Sequence, residues 1–315
     1  MAKLKALLLT EGYHGMISQV EGLAKALQAE FQHKIVRLNW PWNFIPPKLT
    51  PISEIILKDK HYINENKSFD LVISCGRKSV IPSAIIKKKN TNIFTIHIQD
   101  PKVNYKNFDV IIAPEHDDLK GENVISSKGS IHYITQPEIE KAKNYLVNKF
   151  QNENIVSLIL GGPTKYYSFS NEELTQVFRK IKSNFISQGY KVLVIPSMRT
   201  PKRIIDLAMK EFVKDGFVVN TVDKQAYLSA LALATNIVVT CDSTSMISEA
   251  AASGKPIFVA HMKPKKNNYR FEKFFQLFRE MGITKELGEK VDNWTYNRFN
   301  EADRIATLMR KKLTN

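Results

Sequence analysis

Cysteine is nearly absent from the chain: Cys75 and Cys241 are the only two in 315 residues. Each follows an apolar run, and together they offer neither a metal-ligand spacing nor a disulfide framework. A reducing cytoplasm is therefore the expected setting, and no metal site is expected. No stretch approaches the roughly 18 consecutive apolar residues of a membrane-spanning helix. The first segment, residues 3–10, is basic at its start, but its apolar core is very short. It runs into Glu11-Gly12 without a small-residue cleavage pattern, so it reads as a buried strand and not as a signal peptide. Carboxylates are in deficit, with Lys+Arg 46 against Asp+Glu 31 and a net charge of +15. Such an excess favours a polyanionic partner: a phosphorylated substrate, anionic lipid headgroups or nucleic acid. The lysine runs at 87–89, 263–266 and 310–312 lack the interleaved aromatics of a single-strand groove, so nucleic acid is not expected. Peripheral contact with an anionic membrane stays open, as does plain surface charge.

What the chain does have is a repeated pattern of apolar run, small-residue turn and helix. It is plainest at residues 236–259. The run Asn236-Ile237-Val238-Val239-Thr240 passes into Cys241-Asp242-Ser243-Thr244-Ser245-Met246, whose hydroxyls suit an N-cap, and then into a helical segment at 248–252. Gly254 and Pro256 precede a new apolar run. In a parallel sheet such a turn lies at the carboxyl end of a strand, where free N–H groups at the helix start favour an anion. Asp242 and Glu249 would accept hydroxyls of a ribose or sugar; the same residues also read as a helix cap with a solvated neighbour.

Residues 4–9, the loop Glu11-Gly12-Tyr13-His14-Gly15 and the helically spaced Val20, Leu23, Ala24 and Leu27 repeat the pattern. No third glycine closes it, and no acidic residue ends the second strand expected at 34–38, so a nicotinamide cofactor is not expected. Residues 40–51, with four prolines and two tryptophans, read as an irregular loop before a lysine-rich helix. Further strands at 70–74, 93–98 and 108–113 end at Gly76-Arg77-Lys78, Gln99-Asp100-Pro101 and Glu115-His116-Asp117. In an open parallel sheet these ends converge on one crevice, making neighbours of Arg77, Gln99, Asp100, Glu115 and His116. Carboxylates with a histidine suit general acid/base work.

The pattern changes near 136–154, where a helix after Pro137 carries Ile139, Ala142, Tyr145 and Leu146 and residues 148–154 are polar; this marks the domain boundary, giving domains 1–150 and 151–315, with the last helix a candidate to return to the first. A strand at 155–160 then meets Gly161-Gly162-Pro163-Thr164-Lys165. This turn suits a diphosphate held by backbone N–H groups and Lys165, although it lacks P-loop spacing. A strand at 191–195 meets Ser197-Met198-Arg199, with Arg199 a phosphate candidate. Phe271, Phe274, Phe275, Leu277 and Phe278 read as core or interdomain packing. The resulting fold class is α/β, two Rossmann-like domains facing across a cleft, of the GT-B type.

These motifs, taken in order from Ser74-Cys75-Gly76-Arg77 through Gly254-Lys255-Pro256, resemble the mitochondrial-fission "elongated mitochondria" family, whose bacterial members are regarded as GT-B glycosyltransferases. The resemblance implies a nucleotide-sugar donor, no bound cofactor or metal, and a cell-envelope acceptor, lipid-linked or saccharide. It places the protein in the cytoplasm or at the cytoplasmic face of the inner membrane. Residues 249–256 are similar to the donor helix of transferases that build peptidoglycan precursors and lipopolysaccharide, which implies that Glu249 holds the ribose. The donor-side set is Gly161, Gly162, Thr164, Lys165, Ser197, Arg199, Asp242, Ser243, Ser245, Met246 and Glu249. Gly12, His14, Gly15, Gly76, Arg77, Gln99 and His116 line the acceptor side, and Glu11, Asp100 or Glu115 is the base. One departure is that many relatives have Pro-Gly-His in the first loop, where this chain reads His14-Gly15-Met16. The alternatives are a non-catalytic membrane-surface scaffold of the same fold, and a nucleotide-sugar epimerase or hydrolase.

Overall fold

The computed structural model describes residues 3–64, 68–150, 153–288, 290–291 and 294–313. The chain divides into two compact units, Met1–Tyr133 with Asn300–Asn315, and Ile134–Phe299. Each is built on its own six-stranded parallel sheet.

The first unit runs β1 (Lys5–Thr10), α1 (His14–Ala26), β2 (Glu30–Ile35), α2 (His61–Asn64), β3 (Leu71–Cys75), α3 (Val80–Lys89), β4 (Phe94–Ile98), β5 (Val110–Pro114) and β6 (Val124–Ser127). The strand order is β2-β1-β3-β4-β5-β6. Parallel strands need crossover helices on the sheet faces, so the central strands are covered on both sides: β3 is buried along its whole length, and so is β1 beyond Lys5. Strand β2 lies at the edge, is mostly exposed and begins earlier than the expected 34–38. The apolar residues that suggested the later strand, Val36 and Leu38, belong to a loop neck. Leu38 bridges Leu57, Lys58 N–H donates to the Arg37 carbonyl, and both Val36 and Leu38 join the core. In place of a lysine-rich helix the described part of the following segment has two single 3₁₀ turns, Pro47–Leu49 and Glu54–Ile56, and the short α2; residues 65–67 lie outside the described residues.

The second unit continues α4 (Gln136–Ala142), β7 (Ile155–Leu160), α5 (Asn171–Asn184), β8 (Lys191–Pro196), α6 (Lys202–Phe212), β9 (Gly216–Val218), α7 (Lys224–Leu233), β10 (Asn236–Thr240), α8 (Thr244–Ala251), β11 (Ile257–Ala260), α9 (Tyr269–Glu280) and β12 (Thr284–Glu286). Its strand order is β12-β11-β10-β7-β8-β9. The expected boundary at 150 and the observed one at 133 differ because α4 packs on α7, and because the Leu146 N–H donates to Ser229 Oγ while that hydroxyl donates to the Lys143 carbonyl. Phe274, Phe275 and Phe278 of α9 are core residues of this unit, with the Phe274 and Phe278 rings 4.2 Å apart. The last helix, α10 (Glu301–Leu313), packs on α1 in the first unit through Ala302, Ile305, Ala306 and Met309. Buried Glu301 anchors its start, accepting three Arg304 guanidinium bonds and the Lys128 N–H. Among the described residues no helix is long and apolar enough to cross a membrane.

Helix α5 opens on a reciprocal cap: Ser170 Oγ accepts from Glu173 N–H at 3.2 Å, and Glu173 Oε2 accepts from Ser170 N–H at 3.0 Å. Ser170→Ala removes one half of the box and should cost about 1 kcal/mol. Calorimetry of the purified variant should show the second unit melting about 2–4 °C lower. An unshifted transition would mean that the cap is not formed in solution.

Candidate functional site

Strand order locates the candidate site before any side chain is considered. In an open parallel sheet, ligands bind at the carboxyl edge where the order reverses, because loops on either side of that point diverge and leave a crevice. In the second unit the reversal falls between β7 and β10. The residues that follow those strands are Gly161-Gly162 and Cys241-Asp242-Ser243. In the first unit it falls between β1 and β3, followed by Glu11-Gly12 and Gly76-Arg77-Lys78.

Asp242 is the hub of the second reversal. Its side chain is 0% exposed and accepts from Thr240 Oγ1 at 2.7 Å, from Arg199 Nη2 at 2.6 Å and from Gly162 N–H at 3.3 Å. Gly161 N–H donates to Thr240 Oγ1 at 2.8 Å. The paired glycines follow from this crowding. A Cβ on Gly161 would stand 2.0 Å from Asp242 Oδ1, and one on Gly162 would stand 2.0 Å from the Arg199 carbonyl. The double glycine thus lets β7 and β8 loops close on a buried carboxylate, and both its N–H groups are already engaged. Thr200 completes the hub by donating to the Leu160 and Gly161 carbonyls, and its Oγ1 accepts from the Ser197 N–H. Thr164 folds its own loop, its Oγ1 accepting from the N–H groups of Tyr166 and Tyr167.

Helix α8 starts four residues earlier than the expected 248, because Ser243 serves as N-cap and accepts from Met246 N–H at 3.3 Å. Its first-turn N–H groups therefore stand at the carboxyl end of β10, beside Asp242, with Ser245 in that turn. Glu249 lies on this helix, half-buried, and its Oε2 accepts from Tyr227 OH at 3.1 Å. Burial pushes its carboxyl up to about 7, with the Tyr227 bond pulling the other way. Lys165 is exposed, as are Lys263, Lys265 and Lys266. A short bridge, Tyr167 with Pro264, joins the two loops, and Lys165 and Lys266 each lie about 5 Å from the centre of the Tyr166 ring. The result is a cationic rim at the carboxyl edges of β7 and β11. A separate polar groove of about 550 Å³ lies between α5, β11 and β12 and is lined by Glu173, Lys180, His261 and Glu286.

At the first reversal Glu11 is the enclosed carboxylate, its side chain 9% exposed, accepting from Lys78 N–H at 3.1 Å with Lys78 Nζ at 3.9 Å. Gly76, at φ 95, leaves room for Met16 and Glu11, whose nearest atoms would meet its Cβ at 2.5 and 3.0 Å. Arg77, Gln99 and Glu115 follow the adjacent strands β3, β4 and β5. The Arg77 guanidinium donates to the Ile45 and Asn43 carbonyls and so clamps the 40–51 loop. Asp100 accepts from Lys102 N–H and pairs with Lys102 Nζ at 2.5 Å. Glu115 is exposed, and His116 Nε2 lies 3.5 Å from Asp117. His14 Nε2 and Tyr133 OH are 3.0 Å apart; Gly12 and Gly15 flank it. Among the described residues no group of three His, Cys, Asp or Glu side chains could hold a metal ion.

Thr240, Thr200 and Tyr227 were not among the expected site residues. The two threonines had a signal, a hydroxyl beside each strand-end motif. Tyr227 had none, since it reaches Glu249 from another helix.

Superposition on solved structures gives the fold a name. UDP-GlcNAc 2-epimerase of Neisseria meningitidis, solved bound to UDP-GlcNAc, superposes with a TM-score of 0.57 at 11% identity, covering 99% of this chain and 100% of that one. MurG of Acinetobacter baumannii gives 0.52 at 12% identity, over 99% and 92%. The α/β fold is of the GT-B type. An uncharacterized protein of Rickettsia prowazekii is 27% identical over 333 aligned positions, covering 91% of this chain and 93% of that one. The mitochondrial fission protein ELM1 of Arabidopsis thaliana is 24% identical over 277, covering 77% of this chain and 64% of that one. The family model described as Mitochondrial fission ELM1 matches residues 14–313, and the chain belongs to that family.

Proposed function

We propose that the protein is a glycosyltransferase that binds a nucleotide-sugar through its second unit and passes the sugar to a cell-envelope acceptor. The observation that carries the reading is Glu249: a half-buried carboxylate, raised by desolvation, on a helix that starts at the sheet's reversal point. A carboxylate kept there against its desolvation cost suits a ligand with hydroxyls to donate. The ribose of the donor bonds to Glu249. The diphosphate meets the first-turn N–H groups of α8, Lys165 and the half-exposed Arg199, which stabilise the charge that develops as it leaves. An acceptor hydroxyl attacks the anomeric carbon, the bond to the nucleoside diphosphate breaks with its electrons going to the phosphate, and the hydroxyl's proton passes to a carboxylate base. The UDP-GlcNAc of the Neisseria neighbour supports a nucleotide-sugar of this class.

The test is binding of nucleoside diphosphates and their sugar conjugates, read by thermal shift and titration calorimetry. Glu249→Ala should weaken the best ligand about tenfold or more, the worth of a lost charge-assisted bond or two, while the fold persists. Equal affinity in a folded variant would remove Glu249 from the donor site. The epimerase or hydrolase reading is favoured by the similarity to the Neisseria enzyme, and turnover of donor without acceptor would select it. A scaffold would bind no member of the panel.

A further inference from the structure

The compact loop that follows β2 carries large apolar side chains turned to solvent: Trp40 is 82% exposed, Phe44 80%, Leu49 71% and Ile55 67%. Scattered exposed leucines need no explanation, but two aromatics and two aliphatics exposed on one short loop concentrate apolar surface there. The loop is not loosely held. Its neck is closed by Asn39, whose side-chain amide donates to the Ile55 and Leu57 carbonyls and whose N–H donates to that of Ile56. Arg77 clamps its middle through the Asn43 and Ile45 carbonyls, while Pro47, Thr50, Ile56 and Leu57 are buried beneath. Half of the loop is therefore core, and the other half is presented on a fixed base.

The charge around this patch decides what covers it. Arg37, Lys48, Lys58 and Lys60 are exposed, against Asp59, while Glu54 is neutralised by Lys89. Tryptophan and phenylalanine beside lysines fit the interfacial layer of a bilayer, where the rings sit at headgroup depth and cations meet anionic phosphates. A protein partner would more often meet a patch with charge depleted around its centre. We infer that residues 40–55 form a membrane-docking surface that inserts Trp40 and Phe44 into the headgroup region of an anionic bilayer. This goes beyond the donor reading and does not depend on it.

The experiment is co-sedimentation of the full chain with vesicles of phosphatidylglycerol and phosphatidylcholine, and with phosphatidylcholine alone. Binding should require the anionic lipid and fall steeply between low and high salt. Trp40→Ser with Phe44→Ser should weaken binding at least tenfold with an unchanged melting temperature, because both side chains are exposed. Trp40→Phe should retain most of the binding yet lose most of the fluorescence quenching caused by brominated lipid, since Trp42 and Trp294 do not insert. Undiminished binding in the double variant, or undiminished quenching in Trp40→Phe, would overturn the proposal. So would concentration-dependent self-association that the double variant abolishes, with no vesicle binding by the wild type; the patch would then belong to a second copy of the chain.

Discussion

Asp242→Ala should destabilise the second unit by about 3 kcal/mol, the joint effect of buried donors left without an acceptor and a void left by the carboxylate. The loss has three sources. The Gly162 N–H is left buried without an acceptor, the Thr240 hydroxyl loses its short bond, and a carboxylate-sized void opens beneath the β7 loop. Arg199 adds little, since its side chain is 45% exposed and water can replace its partner. Asp242→Asn should cost less, because its amide oxygen still accepts one bond while its NH₂ faces donors. Gly161→Ala should be as damaging as the alanine at 242, its Cβ falling 2.0 Å from Oδ1. The decisive comparison is the double variant. Removing the carboxylate makes room for the methyl group, so Gly161→Ala with Asp242→Ala should be more stable than the sum of the singles by at least about 1 kcal/mol. Additive losses, measured by denaturant titration, would show that the two residues do not contact in solution.

That hub also marks the limit of what could be read from the chain. The motif Asp242-Ser243-Thr244-Ser245 was legible as a strand-end cap, and Gly161-Gly162 as a tight turn, because each is local. That the aspartate explains the glycines was not, because the two segments lie some 80 residues apart and meet only after β7 and β10 pair. The long buried strands were readable as apolar runs. Edge strands were read less well: β9 was expected at 217–220, close to where it lies, but the largely polar β2 was expected too late, and the three-residue β12 was not read. Strand β6 had no clear apolar signal either, with Val124 and Ile125 half-buried, Ser126 exposed and only Ser127 buried. The break was expected at 150 because residues 148–154 are polar; that the helix expected after Pro137 belongs with the second unit shows only when α4 meets α7. Arg77 was legible as a cation at a strand end, but its hold on Asn43 and Ile45 depends on how a proline-rich loop returns over the sheet. Local chemistry identifies candidates; long-range closure decides which of their bonds are already taken.

Glu249 has the greatest consequence among the groups whose bonds are not all taken, and its pH dependence should be measurable without any ligand. Its carboxyl rests at about 7 in the folded chain against an ordinary 4.5, burial being the larger cause and the Tyr227 bond the smaller, opposing one. Between these values the folded protein keeps a proton that the unfolded chain has released. The unfolded state binds fewer protons, so stability falls as pH rises through this window and levels off above about 7. Glu249→Gln has no proton to lose. The variant and the wild type should melt together near pH 4, below the window, and by pH 8 the variant should be more stable by on the order of 2 kcal/mol, a figure reduced from the full shift because the residue keeps some contact with water. A stability gain that is the same at both pH values would mean that Glu249 does not titrate in this range. The same substitution should act in the opposite sense on binding. An ionised carboxylate accepts from two ribose hydroxyls and an amide oxygen does so less strongly, so wild-type affinity for a nucleoside diphosphate should rise from pH 6 to 8 more steeply than the variant's. The phosphate's own titration contributes equally to both proteins, which leaves the difference between the two slopes to Glu249. Lower stability together with tighter binding over the same pH window is the signature expected of a carboxylate that serves a ligand and not the fold.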